Sequence, residues 1–203
     1  NTEALLREQV QKLRNVQFIF CGSDRRMMQA IFADGKRPFF QATEPLHLGP
    51  IADEAYTAFI TRHFEAARKR IAAEVVQEGL RWCRHHTYYV QYLFNRLFAL
   101  GRKELHTADL LRTQASILKE RAPEYMTLQR LLSPNQAALL TAIAKEGRVT
   151  TPTAMEFVVR HQLSALSTVR QSLGVLVDKE LVHHAEGGYA VTDVFLGHWL
   201  AEG

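Results

Sequence analysis

Ser133-Pro134-Asn135-Gln136 and, fifty residues on, Leu181-Val182-His183-His184, Glu186-Gly187-Gly188 and Tyr189-Ala190-Val191 decide how the C-terminal third folds. The first stretch sets an N-cap serine, a first-turn proline and a capping-box glutamine in order, so a helix begins there, and Gly147 closes it. The last three describe a two-stranded hairpin by turn chemistry, two short apolar runs hinged on glycines. Between them a second helix is expected after Thr151-Pro152, through Phe157 to His161. A third, capped by Ser164 or Ser167, carries Leu166, Val169, Leu173, Leu176 and Val177. Three helices followed by a hairpin make a winged helix-turn-helix, assigned to residues 124–203.

Working back toward the N-terminus, residues 51–123 read as helical throughout. Ala55, Phe59, Ile60 and Phe64 lie on one helix, Ala72, Val75, Val76 and Cys83 on the next, and Val90, Leu93, Leu97 and Phe98 on a third that Gly101 stops. Thr107 is expected to cap a fourth, ending before Pro123. Arg68-Lys69-Arg70, at a helix end, is expected to complement the helix dipole.

Residues 1–50 open with Leu6, Val10 and Leu13 at helical spacing. Val16-Gln17-Phe18-Ile19-Phe20-Cys21 then forms a nearly all-apolar run closed by Gly22-Ser23-Asp24, the pattern of a strand buried on both faces. One such strand cannot make a sheet, so its partners are expected outside these 203 residues, and a chain opening on Asn1 reads as a piece of a longer protein. Asp24 is expected to cap a helix through Met27, Met28, Ile31 and Phe32, and Leu46-His47-Leu48 to form a short edge strand. The fold class is thus mainly α with minor β: the remnant of an α/β domain, a helical bundle and a winged helix.

The 203 residues are 47% hydrophobic and 23% charged, and no apolar run is long enough to span a bilayer. Without an export signal the chain reads as cytoplasmic, with no membrane partner. Cys21 and Cys83 are too few for a disulfide framework, and none of the nine histidines stands in a metal-binding spacing, so no metal ligand is assigned. Net charge is +4 and uneven. Residues 1–50 hold seven basic and five acidic residues, residues 51–132 thirteen and nine, and residues 133–203 five and seven. The third winged helix, Ser164 to Glu180, balances Arg170 and Lys179 against Asp178 and Glu180, so a protein partner is favoured over DNA there unless Arg160, His161 or His183-His184 contribute.

No phosphate loop, nucleophile elbow or dinucleotide fingerprint is present. Phe18-Ile19-Phe20-Cys21-Gly22-Ser23, the helix after it and the loop Leu46-His47-Leu48-Gly49-Pro50 nevertheless resemble the last part of the ATPase domain in prokaryotic STAND-type AAA+ proteins, the group with archaeal-type ATPase domains. His85-His86-Thr87-Tyr88-Tyr89-Val90-Gln91-Tyr92-Leu93 is similar to the lid segment of that family, although His85-His86-Thr87 replaces its commoner Gly-x-Pro turn. Val191-Thr192-Asp193-Val194-Phe195-Leu196-Gly197-His198-Trp199-Leu200 resembles its closing motif. The resemblance implies the C-terminal portion of a P-loop ATPase that binds ATP and Mg when intact and switches conformation with nucleotide. The fragment itself is expected to hold neither.

By the same resemblance Ser23 is the sensor that orients a water near the γ-phosphate, or simply a turn former. Arg25 and Arg26 stabilise phosphate charge or stay solvated, and His85 and His86 approach the nucleotide from the lid or divide into one packed and one exposed. The partners implied are the upstream ATPase half, a protein contact through the winged helix, and a possible second copy of the chain. The rival reading is a winged-helix transcription regulator whose helical bundle serves dimerisation; a pure interaction scaffold is the third.

Overall fold

The computed structural model describes residues 2–22, 25–46, 49–185 and 187–203, with the side chains of residues 25, 26 and 185 outside that description. It is mainly helical, and it divides into two compact units, residues 1–49 and residues 50–203.

In the first unit, α1 (Thr2–Lys12) has no buried residue, and α2 (Arg25–Ala33) ends just before Asp34-Gly35. The strand expected over Val16–Cys21 is absent: these residues form no ladder among the described residues, and Ile19 is 93% exposed. An apolar run becomes a strand only where another strand takes up its N–H and C=O groups. Here Phe20 instead packs against Phe32 and Phe39, with ring centroids 5.4 and 5.3 Å away. The Asp24 cap and the pair His47-Leu48 lie outside the described residues, and Leu46 is exposed.

The second unit holds a continuous core running from Tyr56 to Leu200. Four helices open it: α3 (Asp53–Ala66), α4 (Ala73–Trp82), α5 (Thr87–Ala99) and α6 (Thr107–Arg130). The segment is not helical throughout. Arg70–Ile71 (β1) and Glu104–Leu105 (β2) pair in parallel, and the Arg70 N–H donates to the Lys103 carbonyl at 2.7 Å. Gly101, at φ 71°, stops α5 where the sequence places it. The cap of α6 is His106 rather than Thr107, since Asp109 Oδ2 accepts the His106 N–H at 3.0 Å. Nor does α6 end before Pro123; it runs through the proline to Arg130. The missing proline N–H costs one ladder bond, and Thr127 Oγ1 donates back to the Pro123 carbonyl at 2.8 Å.

The winged helix follows as α7 (Pro134–Glu146), α8 (Met155–Arg160) and α9 (Leu166–Asp178), then the hairpin β3 (Val182–Ala185) and β4 (Gly188–Val191), and last α10 (Val194–Glu202). Ser133 and Gln136 close their capping box, and Gly147 takes φ 72°. The cap of α9 is Ala165, neither Ser164 nor Ser167: Ser164 Oγ donates to Asn135 Oδ1 at 2.5 Å instead. Val149 adds a third, single-residue rung against Tyr189, with N–H to C=O bonds of 2.9 and 2.8 Å. Asp193 caps α10, accepting the Phe195 and Leu196 N–H groups at 2.8 and 3.0 Å.

Candidate functional site

The turn between α4 and α5 carries two of the expected site residues. Arg84 and His85 stand consecutively in the left-handed region, at φ 49° and 55°, a conformation that costs a non-glycine residue on the order of 1 kcal/mol or more. Two backbone bonds hold it there, His85 N–H to the Leu80 carbonyl and His86 N–H to the Cys83 carbonyl, both 3.0 Å. Burial pushes the Cys83 thiol up to about 12, so it stays protonated and inert within that turn.

His85 Nδ1 lies 2.7 Å from Asp53 Oδ1 in the first turn of α3. His86 is exposed, sits at the N-cap of α5 without capping it, and sets its ring against Tyr89 at 4.9 Å. The two histidines therefore separate by environment, one committed to a carboxylate and one open at the positive end of a helix dipole. The first N–H groups of α5, beside which His86 stands exposed, are suited to an anion.

The other side of the turn is tied to the winged helix by residues that periodicity did not flag. Arg84 Nη1 donates to the Val191 carbonyl at 3.2 Å, and its pKa is lowered by burial first and by the nearby Arg148 charge second. Trp82 stacks on His198 at 4.7 Å and 8°, while His198 Nε2 reaches the Trp82 carbonyl at 2.8 Å. Phe195 is fully buried among Trp82, Tyr89 and Tyr92, at 5.0, 4.7 and 5.6 Å, and Arg121 lies 5.5 Å above its ring. Arg121 also faces Asp193 at 3.9 Å and donates to the Tyr88 hydroxyl at 3.2 Å. A sequence signal existed for this interface only in the density of aromatics at positions 82–94 and 195–199.

Burial lowers the His198 pKa below its ordinary 6.5, against the smaller effect of the Trp82 carbonyl. Above pH 6.5 the ring is neutral in both folded and unfolded chains and its contribution is fully present. As pH falls through that value the unfolded chain takes up the proton first, and stability is lost until the folded pKa is passed. The urea midpoint is therefore expected to drop between about pH 7.5 and 5.5, and to drop less in His198→Gln, which keeps a donor for the Trp82 carbonyl.

Ser23 lies outside the described residues. Arg25 and Arg26 open α2 in the first unit, whereas His85 and His86 belong to the second. In the winged helix, Arg160 and His161 are both engaged by Glu146, at 2.8 and 2.9 Å, so they do not add free positive charge to α9. Among the described residues no group of three or more His, Cys, Asp or Glu is placed to hold a metal ion, and no helix is long and apolar enough to cross a membrane.

No curated protein matches this chain. Among solved structures it is similar to a Walker-type ATPase of Pyrococcus abyssi, with a TM-score of 0.65 and 16% identity over 98% of this chain and 57% of that one. The chain thus spans little more than half the length of that structure, and the likeness is one of fold. Residues 123–202 match the family described as a probable winged helix domain. The chain therefore carries a C-terminal winged helix on a helical bundle, in a fold shared with part of a Walker-type ATPase.

Proposed function

We infer that this chain is the C-terminal portion of a STAND-type AAA+ ATPase in which ATP, bound mainly by residues upstream, sets the position of a lid and winged helix that move together. The interface around Phe195 carries the reading: it fixes α10 of the winged helix to α4, α5 and α6, so motion of the lid turn is passed directly to the winged helix. On this reading residues 51–123 are the lid and residues 1–50 the end of the nucleotide-binding core. His86, at the open N-terminus of α5, faces the nucleotide, and His85, held by Asp53, positions the turn. Ser23, Arg25 and Arg26 keep the sensor and phosphate-stabilising roles implied by the resemblance. Mg and the phosphates are assigned to an upstream phosphate loop, as the family resemblance implies.

Winged-helix contact with protein is favoured over DNA, because α9 carries one cation, Arg170, against Asp178, and Arg160 is ion-paired with both Glu146 and Glu156. Calorimetric titration tests the nucleotide assignment. Residues 1–203 are expected to bind Mg-ATP no more tightly than about millimolar, and a longer chain restoring an upstream phosphate loop to bind it far more tightly. Micromolar binding by the 203 residues alone would refute the upstream cradle.

A further inference from the structure

We propose that the end of the helical bundle formed by the β1–β2 pair is a binding surface for the phosphate backbone of duplex nucleic acid. The parallel pairing brings Arg68, Lys69 and Arg70 beside Arg102 and Lys103, thirty-odd residues away in sequence, through the Arg70 N–H to Lys103 carbonyl bond. Arg112 joins them through Asp109, whose Oδ1 holds Arg102 at 2.9 Å and Arg112 at 3.2 Å. Only Glu104, 3.6 Å from Arg70, and Asp109 supply carboxylates within these ion pairs. Six cations against two anions give +4, the whole excess of residues 51–132: the other seven cations of that segment are matched by seven carboxylates.

The surface is built as well as charged. Asp109 is 2% exposed, so the carboxylate that fixes Arg102 and Arg112 is itself fixed, while the two guanidiniums remain about half or more exposed. Lys69 donates its ammonium to the Phe98 carbonyl and lies 3.6 Å from the Phe98 ring centre, which aligns the strand behind it. Arg68 occupies the left-handed region at φ 58°, just past the end of α3, where glycine or asparagine is the unstrained choice. Four of the six cations are arginines, whose planar fork matches phosphate oxygens. Lys69 also stands at the C-terminal end of α5, where its charge complements the helix dipole. Duplex backbone is favoured over an acidic polypeptide because no aromatic anchor stands exposed among the six, and backbone recognition needs only an ordered array of cations.

The test is fluorescence anisotropy of a labelled random-sequence duplex of about 20 base pairs with the full 203-residue chain. Three phosphate contacts predict a log–log salt slope near −3, a loss of roughly forty-fold in affinity from about 50 to about 200 mM salt. The combined variant Arg68→Asn, Arg70→Thr and Lys103→Ser, chosen from exposed side chains outside the buried Asp109 contact, is expected to weaken binding at least about tenfold and flatten the slope. Its circular dichroism is expected to match the parent and its melting to be no lower, since Arg68→Asn relieves the left-handed strain. Arg170→Ser on α9 is expected to change affinity by less than about twofold. The proposal is overturned if the triple variant binds like the parent, if Arg170→Ser removes the binding, if affinity ignores salt, or if poly-L-glutamate competes as well as unlabelled duplex.

Discussion

Phe195→Ala is expected to destabilise the second unit by about 4 kcal/mol, a melting shift of roughly 8–16 °C for a unit of this size. The ring is fully buried, and three aromatic side chains and the Arg121 guanidinium close on it from outside the winged helix. Truncation leaves a void that these neighbours fill only by breaking their own contacts: Trp82 is held by His198, and Arg121 by Tyr88 and Asp193. Phe195→Leu, which keeps most of the volume, is expected to cost less than half as much. Phe59→Ala, at a half-exposed ring elsewhere on the bundle, is expected to change stability by no more than about 0.5 kcal/mol. Because α6 runs unbroken from the bundle into the region of the winged helix, thermal unfolding of Phe195→Ala should remain a single transition for residues 50–203. Two separated transitions in calorimetry, or rapid cleavage near Pro123 in the parent chain, would contradict the rigid lid and winged-helix body on which the nucleotide-switch reading rests.

Gly188→Ala carries the second large effect, about 3 kcal/mol or more. Gly188 sits at φ 130°, a conformation essentially reserved for glycine, and a Cβ there would stand 2.4 Å from the Val149 carbonyl oxygen and 2.7 Å from its carbon. Both are backbone atoms, so relief requires moving the Val149 rung and its two hydrogen bonds to Tyr189 rather than rotating a side chain. The denaturant midpoint should fall sharply. Gly174→Ala supplies the opposite sign: that glycine lies within α9 with nothing within 4 Å of the new Cβ, and the helix is expected to gain about 0.5–1 kcal/mol. A Gly188 variant as stable as the parent would show that the wing does not approach Val149 as described.

Neighbours in the chain enforce part of this fold on one another before any distant contact forms. Ser133, Pro134 and Gln136 lie within one helical turn, so the cap of α7 is complete before any tertiary contact forms. Gly101 and Gly147 end their helices for the same local reason, and the glycines at 187 and 188 turn the wing. The order of three helices and a hairpin followed from such signals. The family resemblance points to the turn between α4 and α5, but the left-handed Arg84-His85 pair and the opposite environments of His85 and His86 are not legible in the sequence, since Asp53 comes from a helix thirty residues away.

Other features depend on partners distant in the sequence. Val16–Cys21 has the composition of a buried strand, but a strand is defined by its partner, and none pairs with it among the described residues. Arg70-Ile71 and Glu104-Leu105 show no strand signal, yet pair because the helices on either side bring them into register. Pro123 reads as a helix stop, but at α6 one lost ladder bond is outweighed by the packing of Leu110, Ile117, Leu118 and Tyr125 along a continuous core. The basic surface and the enclosure of Phe195 arise the same way: charges and rings distant in sequence acquire their function only when packing fixes the distance between them, because both Coulomb attraction and van der Waals contact depend on separation in space.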